Sequence, residues 1–442
     1  MNRELPQAVA LASSRRDFLK TSAAVGAGLA ATMTSVANVH AGGNDVIRVG
    51  LIGCGSPRGG RGRGAAEQCV SAGPNVKLVA MGDLFRDHLD YTRNYLQKLG
   101  PEKIDVPEER CFVGFDAYKQ VLQAGVDLVI LASPPGFRPM HIKAAVEASK
   151  HIFAEKPVAV DAPGVRSVLE SCAEAKKKGL SLVSGLCWRY DTAMRETFKR
   201  IHDGTIGDIV TLQCTYNAGG LWHIPRQSEY SDMEWQCRNW LYFTWLSGDH
   251  IVEQHIHSLD KMAWAMHDLY PTLATGTGGR QVRTGKEFGH IFDHHSVVFE
   301  YDHGVKLFST CRQQNGTVQN VSDNIWGTKG MCAIDASRAR SLIRVGNEVV
   351  WRSPDGASLG DMYQNEHNEL IAGIRSGKPI YNGDYMSKST LMAIIGRMAT
   401  YTGQVITWDK ALKSKEDLSP RKYEFGPLPV ATVAKPGITK FS

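Results

Sequence analysis

The chain has 442 residues, 51 Lys and Arg against 45 Asp and Glu, 43% apolar and 22% charged residues. That balance is ordinary for a soluble globular protein and excludes wholesale disorder, a collagen-like repeat and a small disulfide scaffold. The formal charge of +6 is mild and no dense basic stripe interleaved with aromatics occurs, so the footprint of a nucleic-acid-binding surface is absent.

In chain order, Ser14-Arg15-Arg16-Asp17-Phe18-Leu19-Lys20 has the twin-arginine form, and an uncharged Ala- and Gly-rich run follows from Thr21 to Val36. The run is broken by Gly26 and Gly28 and is shorter than the roughly 20 strongly apolar residues that span a bilayer. It reads as an export signal over 1–41, removed at a small-x-small site near Ala37 or Ala41, which implies a periplasmic or other extracytoplasmic location. No other stretch is apolar enough to insert in a membrane. The nine cysteines are scattered singly, with no CxxC pair, and read as free thiols.

From residue 46 short apolar runs alternate with amphipathic stretches. Val46–Gly53, Val76–Met81, Asp127–Ala132, His151–Ala154 and Leu180–Val183 predict buried parallel strands. Ala65–Ala72, Arg86–Leu99, Ala117–Ala124, Pro139–Ala148 and Pro163–Lys178 predict the helices between them. This alternation implies βαβ units: a doubly wound parallel sheet of the Rossmann type over 45–186. After residue 187 the rhythm changes to hairpins, with turns at Asp302-His303-Gly304 and Gly327–Gly330, one long helix over Ile251–His267, and closing helices over Tyr363–Arg375 and Tyr385–Thr402. That predicts an α+β domain with a mostly antiparallel open sheet over 187–410, then a surface-wrapping tail over 411–442. The overall class is α/β.

Gly53-Cys54-Gly55 follows the first strand directly. A dinucleotide loop needs one glycine for a tight turn, a second where backbone meets pyrophosphate, and a third for helix–strand packing. The third is displaced here. Treating Ser56–Gly59 as an insertion makes it Gly62. Asp83, ending the second strand, suits the adenosine ribose hydroxyls and favours NAD, while Arg58, Arg61 and Arg63 leave NADP open.

Further motifs fall in order: Ser133-Pro134-Pro135 with His141, then Ala154-Glu155-Lys156-Pro157, Trp188-Arg189-Tyr190, and Gly248 to Asp260 with Glu253, His255 and His257. Together they resemble the Gfo/Idh/MocA family (glucose–fructose oxidoreductase, inositol dehydrogenase and relatives) over about residues 45–410. The resemblance implies a Rossmann domain plus an open-sheet domain that binds substrate and often mediates homo-oligomers. It implies an NAD(P)-dependent oxidoreductase that moves hydride between a sugar or cyclitol CH–OH and a tightly bound nicotinamide. The family usually has Asp and Gly where this chain has Glu253 and His255.

On that reading Lys156, His257 and Glu253 are the catalytic candidates. His257 is the general acid–base, its imidazole suited to proton transfer near neutral pH. Lys156 orients the hydroxyl or relays its proton, and Glu253 binds a neighbouring hydroxyl or orients Lys156. Gly53, Gly55, Gly62, Asp83, Ser133, Pro134, His141, Glu155 and Lys156 are expected to hold the cofactor. Arg189, Trp240, His255 and Asp260 are expected at the substrate. Five tryptophans between Trp222 and Trp264 offer planes for sugar rings, though core packing or an oligomer seam explains them equally well. Three rivals stand beside this reading. One is a redox-neutral glycosidase or lyase working through transient C3 oxidation and elimination. Another is a metalloenzyme using His250, Glu253, His255 and His257, although no metal is assigned. The last is a non-catalytic sugar-binding module.

Overall fold

In the computed structural model the described residues are 45–354 and 361–441, so the export signal read over 1–41 lies outside them. The first sheet is built from β1 (Ile47–Ile52), β2 (Val76–Asp83), β3 (Cys111–Val113), β4 (Leu128–Leu131), β5 (His151–Ala154) and β6 (Leu182–Ser184). Its order is β3-β2-β1-β4-β5-β6, all parallel. The strands are nearly wholly buried because helices cover both faces, which is why they read as continuous apolar runs rather than alternating ones. This is the dinucleotide-binding strand order, with a crevice at the carboxyl ends of β1 and β4, where the strand order reverses. The short edge strand β3 has only three residues and left no hydrophobic run to find.

The second sheet has nine strands: β7 (Ile209–Ala218), β8 (Leu273–Gly279), β9 (His294–Glu300), β10 (Lys306–Gln313), β11 (Asn320–Gly327), β12 (Gly330–Asp335), β13 (Arg340–Val345), β14 (Glu348–Arg352) and β15 (Ile406–Thr407). Its order is β14-β13-β12-β11-β7-β10-β9-β8-β15, antiparallel except for the parallel pair β7–β10. One face alternates buried residues such as Leu212, Cys214, Leu307 and Cys311 against the helices, while Val210 and Phe308 on the other face are about half exposed.

The long helix expected over Ile251–His267 is two helices, His250–Glu253 and Ile256–Ala265, with Gln254 and His255 between them. The break is held from behind. Asp249 adopts φ 75°, outside the usual range for a non-glycine residue, and its buried carboxylate gathers four donors. These are the His250 N–H at 2.5 Å, the His250 Nδ1–H at 2.8 Å, the Phe292 N–H at 2.9 Å and the Tyr401 hydroxyl at 2.6 Å. The helix Gly383–Thr402, buried along almost its whole length, packs between the two sheets and joins their cores.

Candidate active site

A cleft of about 330 Å³ opens at the carboxyl ends of the first sheet. Its floor is the glycine loop. Gly53 sits at φ 90°, and a Cβ there would meet the Ser133 amide at 2.3 Å. A Cβ on Gly62, the first residue of the helix Gly62–Ser71, would stand 1.9 Å from the Gly53 carbonyl oxygen, so no side chain fits between strand and helix. Ser56 and Gly59 bond each other in both directions, at 2.8 and 3.2 Å, making the intervening residues a self-closed turn that leaves the rest of the loop in register. Gly55, Gly59 and Gly60 line the cleft ahead of a helix N-terminus, a fitting cradle for a pyrophosphate.

Asp83 lies on the cleft wall. It accepts the Cys54 N–H at 2.7 Å and the Phe85 N–H at 2.9 Å, which fix its carboxylate while leaving acceptor capacity for ribose hydroxyls. Ser133, Pro134 and His141 line the opposite end, with Ser133 Oγ 3.4 Å from His141 Nδ1. Burial, aided by the nearby Arg138 guanidinium, pushes the His141 pKa down to about 3, so its imidazole is neutral. Arg138 was not anticipated. It is buried and donates to the Ser133 and Pro157 carbonyls, tying together the loops after β4 and β5. Arg61 lines the cleft with its guanidinium already engaged by the protein. Its Nε meets Glu155 Oε1 at 3.1 Å and its guanidinium lies 4.2 Å from the Tyr363 ring centroid.

Lys156, at the end of β5, reaches across to the second half of the chain. Its ammonium donates to Glu253 Oε1 at 2.7 Å and to the Glu253 carbonyl at 2.6 Å, and both side chains line the cleft. His257 stands in the next helix. Its Nδ1 is enclosed without a partner, and burial together with the charges of Lys156, Lys261 and Arg61 holds its pKa well below the ordinary histidine value. Because the chain breaks between Glu253 and His257, the two do not share the single long helix expected over Ile251–His267, and their spacing of four is not one regular helical turn.

Three of the expected substrate residues are corrected. His255 is fully buried, with Nε2 2.7 Å from Ser309 Oγ, and points into the core. Arg189 and Asp260 form a bidentate buried pair at 2.9 Å, reinforced by Asp268 at 2.6 Å, and neither lines the cleft. Trp240 does line it, T-shaped to Trp222 at 6.3 Å between ring centroids. Trp235 and Trp245 are buried and Trp264 stacks on Phe198, so most of the tryptophan cluster is packing. The four ligands of the metal rival are not brought together. Glu253 serves Lys156, His255 serves Ser309, and His250 faces Asp249 and His295. In that last group the Asp249 carboxylate is already occupied by its four donors, so it acts as a hydrogen-bond hub.

Residues 47–183 match the family described as "Oxidoreductase family, NAD-binding Rossmann fold", and residues 13–32 match the twin-arginine translocation signal. The chain is 27% identical over 278 residues to 2,7-anhydro-N-acetylneuraminate hydratase of Escherichia coli (strain K12), covering 60% of this chain and 69% of that one. It is 24% identical over 369 residues to inositol 2-dehydrogenase of Serratia proteamaculans (strain 568), covering 81% and 96%. Among solved structures, a levoglucosan dehydrogenase in complex with NADH and levoglucosan shares the fold, with a TM-score of 0.64, 15% identity and coverage of 82% and 99%.

Proposed function

From the premise that this chain is an NAD-binding oxidoreductase of the Gfo/Idh/MocA family, we propose that it oxidises a CH–OH group of a sugar or cyclitol in the cleft between Lys156 and His257. The observation that carries this reading is the Lys156–Glu253 contact. An ammonium from one half of the chain is held at the cleft by a carboxylate from the other, and His257, which does not itself line the cleft, stands in the helix that follows, within reach of the Lys156 charge. A bound nicotinamide would supply the acceptor for the hydride. Everything else falls to the chain's own residues.

Glu253 fixes where the Lys156 ammonium stands, and that ammonium donates to the substrate hydroxyl. The imidazole of His257, neutral because burial and nearby cations disfavour its charged form, accepts the hydroxyl proton as the C–H electron pair departs. Alcohol becomes carbonyl, and the charges balance as one hydride and one proton leave. Asp83 recognises ribose hydroxyls and would meet a 2′-phosphate with like charge, so the cofactor is NAD in preference to NADP.

The substrate class is supported by the inositol and sugar names among the relatives and by Trp222 and Trp240 at the cleft. The working division is a cofactor domain over 45–186, a substrate domain over 187–410 and a tail beyond, in a homo-oligomer. The signal match supports export by the twin-arginine route to a site beyond the cytoplasmic membrane. No helix among the described residues is long and apolar enough to cross a membrane.

One relative is named a hydratase, which favours as second reading a redox-neutral cycle. There the sugar is oxidised at C3, loses its C1 group by elimination after C2 deprotonation, takes up water across the resulting double bond, and is reduced again at C3 by the hydride it gave up. Solvent deuterium entering C2 during turnover would identify that cycle. Net keto-sugar would identify simple oxidation. For either, Lys156→Ala and His257→Ala should each lose turnover by roughly 10²–10⁴-fold while keeping bound nucleotide. Full activity in both variants would remove the assignment.

A further inference from the structure

The His257 imidazole has a buried charged neighbour that takes no part in the proton transfer itself. Lys261 stands four residues after His257 in the helix Ile256–Ala265, one regular turn on, so the two side chains share a face. Lys261 is 1% exposed. Its ammonium meets a carboxylate oxygen of Asp323, fully buried on the same face of β11 as Ile325, and lies 4.5 Å from the Trp188 ring centroid. An ion pair sealed in a core is a poor device for stability. Desolvating both charges costs about what their attraction returns, and two apolar side chains of similar size would pack there as well. Around it the helix buries Leu259, Met262 and Ala263, so an apolar residue at 261 would suit the core. A cation there calls for another reason.

We propose that Lys261, braced by Asp323, is a positioning residue for the reaction: its ammonium, sealed one helical turn beyond His257, keeps that imidazole free of a proton, ready to take the proton of the substrate hydroxyl. This rests on His257 being the base.

Three cations act on the His257 ring: Lys156 from the end of β5, Arg61 from the glycine loop and Lys261 from its own helix. Each has a carboxylate beside it, Glu253, Glu155 and Asp323 respectively. Other titratable groups on the elements around the helix are neutral or engaged elsewhere. Burial holds the Cys187 and Cys214 thiols and the Tyr216 hydroxyl protonated, and it pushes the His255 pKa down to about 3. Arg189 is paired with Asp260 and Asp268 and covered by Tyr385 of the helix Gly383–Thr402, while His202 Nε2 faces the Trp264 carbonyl at 2.8 Å. Lys156 and Arg61 line the cleft, so their fields at His257 change as coenzyme and substrate come and go. Lys261 is shut away from solvent and ligand alike, so its field is weakly screened and does not depend on what fills the cleft. A fixed cation beside the ring disfavours a second positive charge and extends the proton-accepting form to lower pH.

Two variants test this. Lys261→Met keeps most of the length and removes the charge. Lys261→Met/Asp323→Asn also leaves no buried carboxylate without its partner. Circular dichroism and Tm establish which is folded. In the full chain labelled with 13C-histidine, with His257→Gln identifying the resonance, the titration of the His257 ring is followed by NMR from about pH 4 to pH 9, alongside kcat. In the folded variant the ring should titrate about one pH unit or more above the parent, and the acid limb of kcat should rise with it. A ring that titrates at the parent's pH in the folded double variant, or stays neutral in both across the range, overturns the role of Lys261 and leaves His257 as base. A ring that moves while the acid limb stays, or full turnover in His257→Ala, overturns His257 as base and the role of Lys261 with it.

Discussion

The chemistry at residue scale turns on how Lys156 is held. Its ammonium has a carboxylate oxygen and a carbonyl oxygen of the same residue, Glu253, within 2.7 Å, so one residue decides its position. Glu253→Gln keeps the shape and removes the charge. Turnover should fall by roughly 10–10²-fold while bound nucleotide stays at the parent level, read by kcat against the 260 nm absorbance of released nucleotide. Unchanged kcat would mean that Glu253 does not position Lys156. The neighbouring Glu155, from the same motif, faces Arg61 instead, and Arg138 bridges two loop carbonyls. Motif spacing could place Lys156, Glu155 and Asp83 at the cleft because each follows a strand end directly. It could not foresee Arg138, whose partners are backbone atoms with no sequence signature.

At the scale of elements, the strands of the first sheet and the helix following the glycine loop were legible, since buried parallel strands leave unbroken apolar runs and a displaced third glycine still has to fit against Gly53. The second sheet was legible only where hairpin turns marked it. β8, rich in glycine, β13 and the exposed edge strand β14 lack the pattern. The break at Gln254–His255 was hidden because the cause, the Asp249 hub, depends on Phe292 and Tyr401 far along the chain. The same blindness made Arg189 and Asp260 look like substrate ligands, when they rivet the turn at 187–190 to the helix Ile256–Ala265. Arg189→Ala would leave Asp260 buried and uncompensated, a loss of about 3–5 kcal/mol. Chemical denaturation should show that drop with KM nearly unchanged. A raised KM at full stability would restore the substrate-binding role.

For the whole molecule, burial sets an acid limit. His141, His255 and His367 are held at about 3, and His250 and His290 at about 4, by desolvation. An unfolded histidine titrates near 6.5, so below that pH the unfolded chain gains protons the folded chain refuses. This part of the stability is complete above about pH 6.5 and drains as pH falls toward 4, by up to about 1.4 kcal/mol per pH unit per histidine. Glu366 works in the opposite sense. Burial and the nearby Glu155 raise its pKa, and neither carboxyl oxygen has a partner. Its cost therefore grows as pH rises above the unfolded carboxylate value. Relative to the parent, Glu366→Gln should gain Tm progressively from pH 5 to pH 9, and a difference in Tm independent of pH would contradict this.

The central claim is spatial: a nicotinamide between side chains contributed by both halves of one chain. Crystallisation of the full chain with NAD tests it directly. The expected electron density places the pyrophosphate at Gly55–Gly60, the adenosine ribose on Asp83, and the nicotinamide carbon that takes hydride within a substrate's width of both the Lys156 ammonium and the His257 imidazole. A dinucleotide bound with its nicotinamide turned away from those two groups, or no dinucleotide in the cleft at saturating concentration, would contradict it.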